Sequence, residues 1–279
     1  MVLLTAIGVD FGGTNIRAAL VSDTGKILRE YSVKTPQKKA EIFNRLVDVI
    51  SEVIEGTPVG LGIGIAGPFN RATGRIYPPN IKALYGLNII KEMKKYIKTP
   101  FFIENDTNCF LVAEHKLGAA KKLKNVIGVT VGTGIGGAII IDGKLYSGIN
   151  GSAGEFGHMV IEPSVDDVGR GVRGSLENLA SGTAMLREAK MHMTDVFTGK
   201  DLFALENKHK TAKKIISDSS RYLGLGLASL INIFTPEMIV LGGSVGVNYA
   251  TSKTMRKEIG HEIKTRAIAS TRIATQKVE

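Results

Sequence analysis

The 279-residue sequence has no tryptophan and a single cysteine, Cys109. One thiol cannot cross-link a chain, which excludes a disulfide-stapled scaffold and points to a reducing compartment, the cytoplasm. Long apolar runs are missing as well. The most apolar stretch, "VIGVTVGTGIGGAIII" (126–141), is broken by glycines and rich in β-branched residues, so it reads as two strands and a turn rather than a membrane helix. The opening "MVLLTAIGVDFGG" has no basic segment and meets Asp10 too early for a signal peptide. The net charge of +10 gathers near "KHKTAKK" (208–214) and across residues 253–272, without interleaved aromatics. These clusters read as solvated helix faces and an attractive field for an anionic substrate, not as a nucleic-acid surface.

Glycine, in contrast, is abundant at 33 residues. "GVDFGGTNIRAALVSDTGKIL" from Gly8 and "GVTVGTGIGGAIIIDGKLY" from Gly128 match at a constant offset at Gly8/Gly128, Val9/Val129, Gly12/Gly132 and Ala18/Ala138. Asp-Thr-Gly-Lys (23–26) then faces Asp-Gly-Lys (142–144). Each segment reads as strand, glycine turn, strand, tight turn, strand, so one β-rich unit occurs twice. Apolar residues at helical spacing predict helices over 40–56, 87–97, 107–122 and 211–234, and strands over 59–70, 100–106 and 237–245. The expected fold is α/β with two lobes, a small N-terminal lobe over 1–107 and a larger one over 108–279. No Pro- or Ser-rich linker separates them, so the lobes are expected to share a hinge and an interlobe cleft.

The chemistry sits in the loops. The backbone N–H groups of glycine turns bind phosphate oxygens. An acid in the same loop, Asp10, would repel phosphate but suits Mg²⁺, a hard cation shared between phosphates and one or two carboxylates. Thr14 adds a hydroxyl. The alternative is an ordinary hairpin turn with an incidental acid. "GTGIGGA" (132–138) repeats the theme, and "LGGSV" (241–245) is a third glycine turn after a buried strand. No GxGxxG opens a helix with an acid suitably downstream, and no GxxxxGK[ST] is present, so these turns are not Rossmann or Walker fingerprints.

Taken in order, these motifs resemble the ROK family of sugar kinases, within the actin/hexokinase-like superfamily of ribonuclease H-like lobes. "DFGGTN" is similar to the first phosphate loop, "PPN" (78–80) to a sugar-contacting turn and "END" (104–106) to the catalytic segment. "GTGIGGA" is similar to the second phosphate loop, with Ala138 where a further glycine is common, and "NGSAGEFGH" (150–158) to the sugar motif NGxxGExGH. The resemblance implies that Asp106 is the general base, against the local alternative of a helix N-cap. It implies sugar contacts at Asn80, Asn105, Asp106, Glu155, His158 and Glu177. It places ATP against Asp10, Gly12, Gly13, Thr14, Gly132, Thr133, Gly134, Gly242 and Gly243, with Mg²⁺ held by Asp10, directly or through water.

Two departures stand out. The family's zinc-binding CxCGxxGCxE run reads "VGRGVRGSLE" (168–177) here, with Val168, Arg170 and Ser175 at the cysteine positions. None replaces a thiolate, so no structural zinc is expected, and Asp166 and Asp167 do not complete a tetrahedral site. The family usually ends with a GDxAGLxGA-like segment and a further helix, whereas this sequence stops at "STRIATQKVE".

The expected activity is ATP-dependent transfer to the 6-hydroxyl of glucose or a related hexose, with an N-acetylglucosamine or N-acetylmannosamine kinase as the alternative. A sugar-responsive ROK regulator is the less favoured class, because only nine residues precede Asp10 and leave no room for a winged-helix segment. The implied partners are a small sugar and, as is common in the family, a second copy of the chain, with no nucleic acid and no membrane.

Overall fold

The computed structural model describes residues 4–78, 81–165, 171–196 and 198–278. Two compact units divide the chain, one of Met1–Cys109 with Ser147–Ala153 and one of Phe110–Tyr146 with Gly154–Glu279.

The first unit is built on a mixed five-stranded sheet. Strands β1 (Thr5–Phe11), β2 (Asn15–Ser22) and β3 (Ile27–Lys34) form an antiparallel meander. Helix α1 (Lys39–Val53) then returns the chain to β4 (Leu61–Ile65), which lies parallel to β1. A two-stranded ribbon, β5 (Phe69–Asn70) with β6 (Arg75–Ile76), precedes the short α2 (Ile89–Met93). β7 (Phe101–Asn105) adds parallel to β4, giving the order β3-β2-β1-β4-β7. α1 is amphipathic as its spacing predicts: Ile42, Phe43, Leu46, Val49 and Val53 are fully buried, in one core with Val9, Phe11, Ile16 and Ile63. α2 is shorter than the helix expected over 87–97. Asn88 caps it, and after Met93 the bonds tighten, with Lys95 N–H to Glu92 and Tyr96 N–H to Met93.

The division falls inside α3 (Asp106–Lys116), after Cys109. The second unit repeats the first unit's plan. β8 (Val126–Val131), β9 (Ile135–Ile141) and β10 (Lys144–Tyr146) form the meander. Helices α4 (Leu176–Ala180), α5 (Gly182–His192), α6 (Gly199–Ala204) and α7 (Lys210–Phe234) follow. β11 (Met238–Gly242) lies parallel to β8, and after α8 (Gly243–Gly246) and α9 (Lys253–Arg266), β12 (Arg272–Thr275) lies parallel to β11. The order β10-β9-β8-β11-β12 matches the first sheet strand for strand. The duplication legible in the glycine hairpins is thus a duplication of topology. The residue match slips after the turn, however. Val9 pairs with Ala18, whereas Val129 pairs with Gly137 and Ala138 faces Gly128. The first turn spans residues 12–15 between paired Phe11 and Ile16, and the second only 132–134 between Val131 and Ile135, one residue shorter. The equivalent of Ala18 is therefore Gly137, not Ala138.

Candidate active site

In the first unit, parallel strands set the site. Asp10 near the end of β1 pairs across to Gly64 on β4, and Gly64 to Glu104 on β7. The next residues, Asn105 and Asp106, turn the chain from β7 into α3. Asn105 is the N-cap: its Oδ1 accepts from Thr107 N–H (2.9 Å) and Asn108 N–H (3.1 Å), and its Nδ2 donates to the Gly67 carbonyl (3.1 Å). One Nδ2 hydrogen is left for any other partner. Asp106 is therefore the first helical residue and not the cap, and its Oδ1 accepts from Thr107 N–H at 2.7 Å. Gly64 makes this placement feasible, because a methyl group there would lie 3.4 Å from Cys109 Sγ and 3.7 Å from Asp106 Cα, leaving no room for a larger side chain.

Burial pushes the Asp106 carboxyl up to about 6, and the neighbouring Asp10 charge adds to the rise. Asp10 is itself raised by burial, partly offset by Arg17. Burial and the same two carboxylates push the Cys109 thiol up to about 11. A free thiol titrates near 8.5, so at pH 7.5 Cys109 holds roughly 10²- to 10³-fold less thiolate than an unperturbed cysteine. Iodoacetamide should modify it slower by a similar factor, as mass spectrometry of timed aliquots will read. Labelling at the rate of a free thiol would contradict this environment.

The first glycine turn is tight. Gly12 N–H bonds the Asn15 carbonyl (3.0 Å), Thr35 Oγ1 donates to the Gly12 carbonyl (2.7 Å), and Gly13 and Thr14 form its tip.

In the second unit, two glycine turns adjoin. The Gly132 carbonyl accepts from Gly182 N–H (2.7 Å) and the Thr133 carbonyl from Thr183 Oγ1 (2.7 Å), so the start of α5 holds the 132–134 loop by its carbonyls. Ser244 Oγ lies 3.8 Å from the side-chain position of Gly132, which brings Gly242–Gly243 beside that loop. Gln276, which the sequence did not single out, fixes the third turn by accepting from Gly243 N–H (3.1 Å).

Glu155, His158 and Glu177 gather in this same unit. His158 Nε2 is 3.8 Å from Glu155 Oε2. Burial raises Glu155, His158 pulls it down and Glu177 raises it further. Glu177 sits on α4 and its Oε2 accepts from Ile135 N–H (2.8 Å), so one carboxylate oxygen already braces the end of the 132–134 loop. Of the other predicted positions, Asn80 lies outside the described residues, as do Asp166, Asp167, Val168 and Arg170. Ser175 caps α4 by accepting from Asn178 N–H. Among the described residues, no three His, Cys, Asp or Glu side chains cluster as a metal site, and no helix is long and apolar enough to cross a membrane.

Two doubled sheets of this order, each with a glycine turn in its opening hairpin, define the class: an actin-like ATPase fold carrying a sugar-kinase motif set. Residues 6–278 match the ROK family, and the chain belongs to it. It is 36% identical to a glucokinase of Streptomyces coelicolor, over 86% of this chain and 81% of that protein. It is 34% identical to a glucokinase of Thermotoga maritima, over 87% and 82%. A crystal structure of a ROK family glucokinase from Streptomyces griseus in complex with glucose and AMPPNP superposes with a TM-score of 0.86 at 29% identity, covering 98% of this chain and 94% of that one.

Proposed function

We propose that this protein is an ATP-dependent kinase that transfers the γ-phosphate to the 6-hydroxyl of glucose, with Asp106 as the general base. The observation that carries the role of Asp106 is its position. A half-buried carboxylate opens α3 at the carboxyl end of a parallel strand, and Asn105 relieves it of capping duty. A sugar hydroxyl is a weak nucleophile until its proton is drawn away, and a placed carboxylate supplies about 10²- to 10⁴-fold of rate. Asn80, Asn105, Glu155, His158 and Glu177 are assigned to the sugar hydroxyls, since carboxylates accept from paired hydroxyls and an amide both donates and accepts. Gly12, Gly13, Thr14, Gly132, Thr133, Gly134, Gly242 and Gly243 are assigned to ATP. A hard cation fits the first unit, where Asp10 and Asp106 are two buried carboxyls close enough that the Asp10 charge raises Asp106. Asp10 would hold Mg²⁺ directly or through water; the ion neutralises phosphate charge when bound. The same reading takes the enzyme as cytoplasmic, free of structural zinc, and a homodimer.

A coupled ADP-release assay across glucose, mannose, N-acetylglucosamine and N-acetylmannosamine tests the substrate. Glucose is expected to give the highest kcat/KM; an N-acetylated sugar in that place would move the enzyme to the amino-sugar class. The base must be ionised to act, so kcat/KM should rise with pH through an inflection near 6 and level above it, as one proton leaves Asp106. A profile flat from pH 5 to 8 would remove a carboxylate with this environment from the rate equation.

A further inference from the structure

Glu104 stands one residue before the cap and two before Asp106, and its carboxylate joins three pieces of the first unit. Oε1 accepts from Asn105 N–H (2.8 Å) and from Asn108 Nδ2 (2.9 Å). Oε2 is paired with the guanidinium of Arg71, which stands in the turn between β5 and β6. Arg71 in turn lies against the segment of the sugar motif that belongs to this unit: a methyl group at Gly151 would sit 3.4 Å from Arg71 Cγ. Asn108 is fully buried, and its Oδ1 has no hydrogen-bond partner among the described residues. Within those residues, Glu104 is thus what holds the Asn108 side chain through a hydrogen bond. Without it a buried amide would be left unpaired, a cost that drives rearrangement of the turn around it.

We propose that Glu104 is a positioning residue for the phosphotransfer assigned above, locking the Asn105–Asn108 turn that carries Asp106 to the β5–β6 ribbon through Arg71. The inference rests on Asp106 being the base and deepens that reading. A general base must be aimed as well as ionised, and a displacement on the order of 1 Å costs up to about 10²-fold. Binding of ATP depends on other loops, so loosening this turn acts on turnover.

The test is a kinetic and thermal comparison of Glu104→Ala, Glu104→Gln, Arg71→Ala and the double variant Glu104→Ala/Arg71→Ala, with Asp106→Asn in parallel. Glu104→Ala should lower kcat by about 10- to 100-fold while the ATP KM stays within about threefold. Glu104→Gln keeps an oxygen for Asn105 N–H and Asn108 Nδ2 but turns an amide N–H toward the Arg71 guanidinium, so it should lose about as much as Arg71→Ala and less than Glu104→Ala, which also keeps the test open if the alanine variant folds poorly. Arg71→Ala should lower kcat in the parent and have no further effect in the Glu104→Ala background, because the two act through one link. Glu104→Ala within twofold of the parent, independent effects that multiply, or a loss of kcat matched by a higher ATP KM and a lower thermal midpoint would each overturn the proposal. If Asp106→Asn is inactive while Glu104→Ala is normal, only this inference falls; if Asp106→Asn turns over normally, the reading of Asp106 falls first.

Discussion

Asp106→Asn should lose glucose-dependent ADP formation by about 10²- to 10⁴-fold in kcat while glucose still binds with near-parental affinity. The substitution keeps shape and the bond from Thr107 N–H, which an amide oxygen accepts as well as a carboxylate. It removes the negative charge and with it the ability to take a proton. Stability gives an independent control. The folded carboxyl titrates near 6 against about 4 in an unfolded chain, so its contribution to stability is full below pH 4 and is lost as the pH rises through 6. The variant escapes that loss, so at pH 8 it should melt at or above the parent's temperature, and the advantage should vanish at pH 4. An inactive variant that is also less stable at pH 8 would mean that the turn was disrupted instead, and near-parental turnover would remove Asp106 from its role.

A large loss of stability is expected at Gly154. Its φ is +95°, in the region that favours glycine, and a methyl group there would lie 2.4 Å from the Gly137 carbonyl oxygen on β9. The approach is mutual, since a methyl group at Gly137 would meet the Gly154 carbonyl at 2.3 Å and the Phe156 ring at 2.1 Å. Backbone strain and overpacking together should cost Gly154→Ala about 3–5 kcal/mol. Gly143→Ala is the matched control: its φ is +74° but nothing lies within 4 Å of the added methyl group, so only the strain, about 1 kcal/mol, remains. Urea midpoints of the two variants separate crowding from dihedral strain. Equal losses would show that the 154–158 segment does not lie against β9 this closely.

Close packing also explains the sugar motif's glycines, which sequence reading could list but not justify. "NGSAGEFGH" was legible as a recognition motif because glycine, acid and histidine recur at fixed spacing. That Gly154 and Gly157 press onto β9 is a backbone-to-backbone fact carried by residues 137 and 135, which sequence order separates from them. The duplication was legible for a similar local reason: each opening hairpin announces itself by β-branched strands and glycine turns. Its one-residue slip was not, because a turn of four residues and one of three both read as glycine-rich punctuation. Helix α9 was legible only as a solvated basic face, without its bounds or its buried side, for a different reason. Of its large apolar residues Met255, Ile259 and Ile263, only the first two are buried, and the basic residues that dominate it hide the periodicity. It is recognised on α7 instead, where Gly224 lets the α9 backbone approach: a methyl group there would lie 3.1 Å from Ile259 Cα. At the site, Asp10, Asp106, Glu155 and His158 could be named from motifs. The capping by Asn105, the bracing of the second loop by Glu177 and the link from Glu104 to Arg71 depend on hydrogen bonds between distant positions, for which residue type alone gives no signal.

Product analysis bears most directly on the account as a whole. Parent enzyme, glucose and ATP with Mg²⁺ should yield ADP and a hexose monophosphate in a one-to-one ratio, with phosphorus-to-carbon coupling in the NMR spectrum placing the ester on the sixth carbon. ADP release that continues without sugar, or an ester at any other carbon, would contradict it.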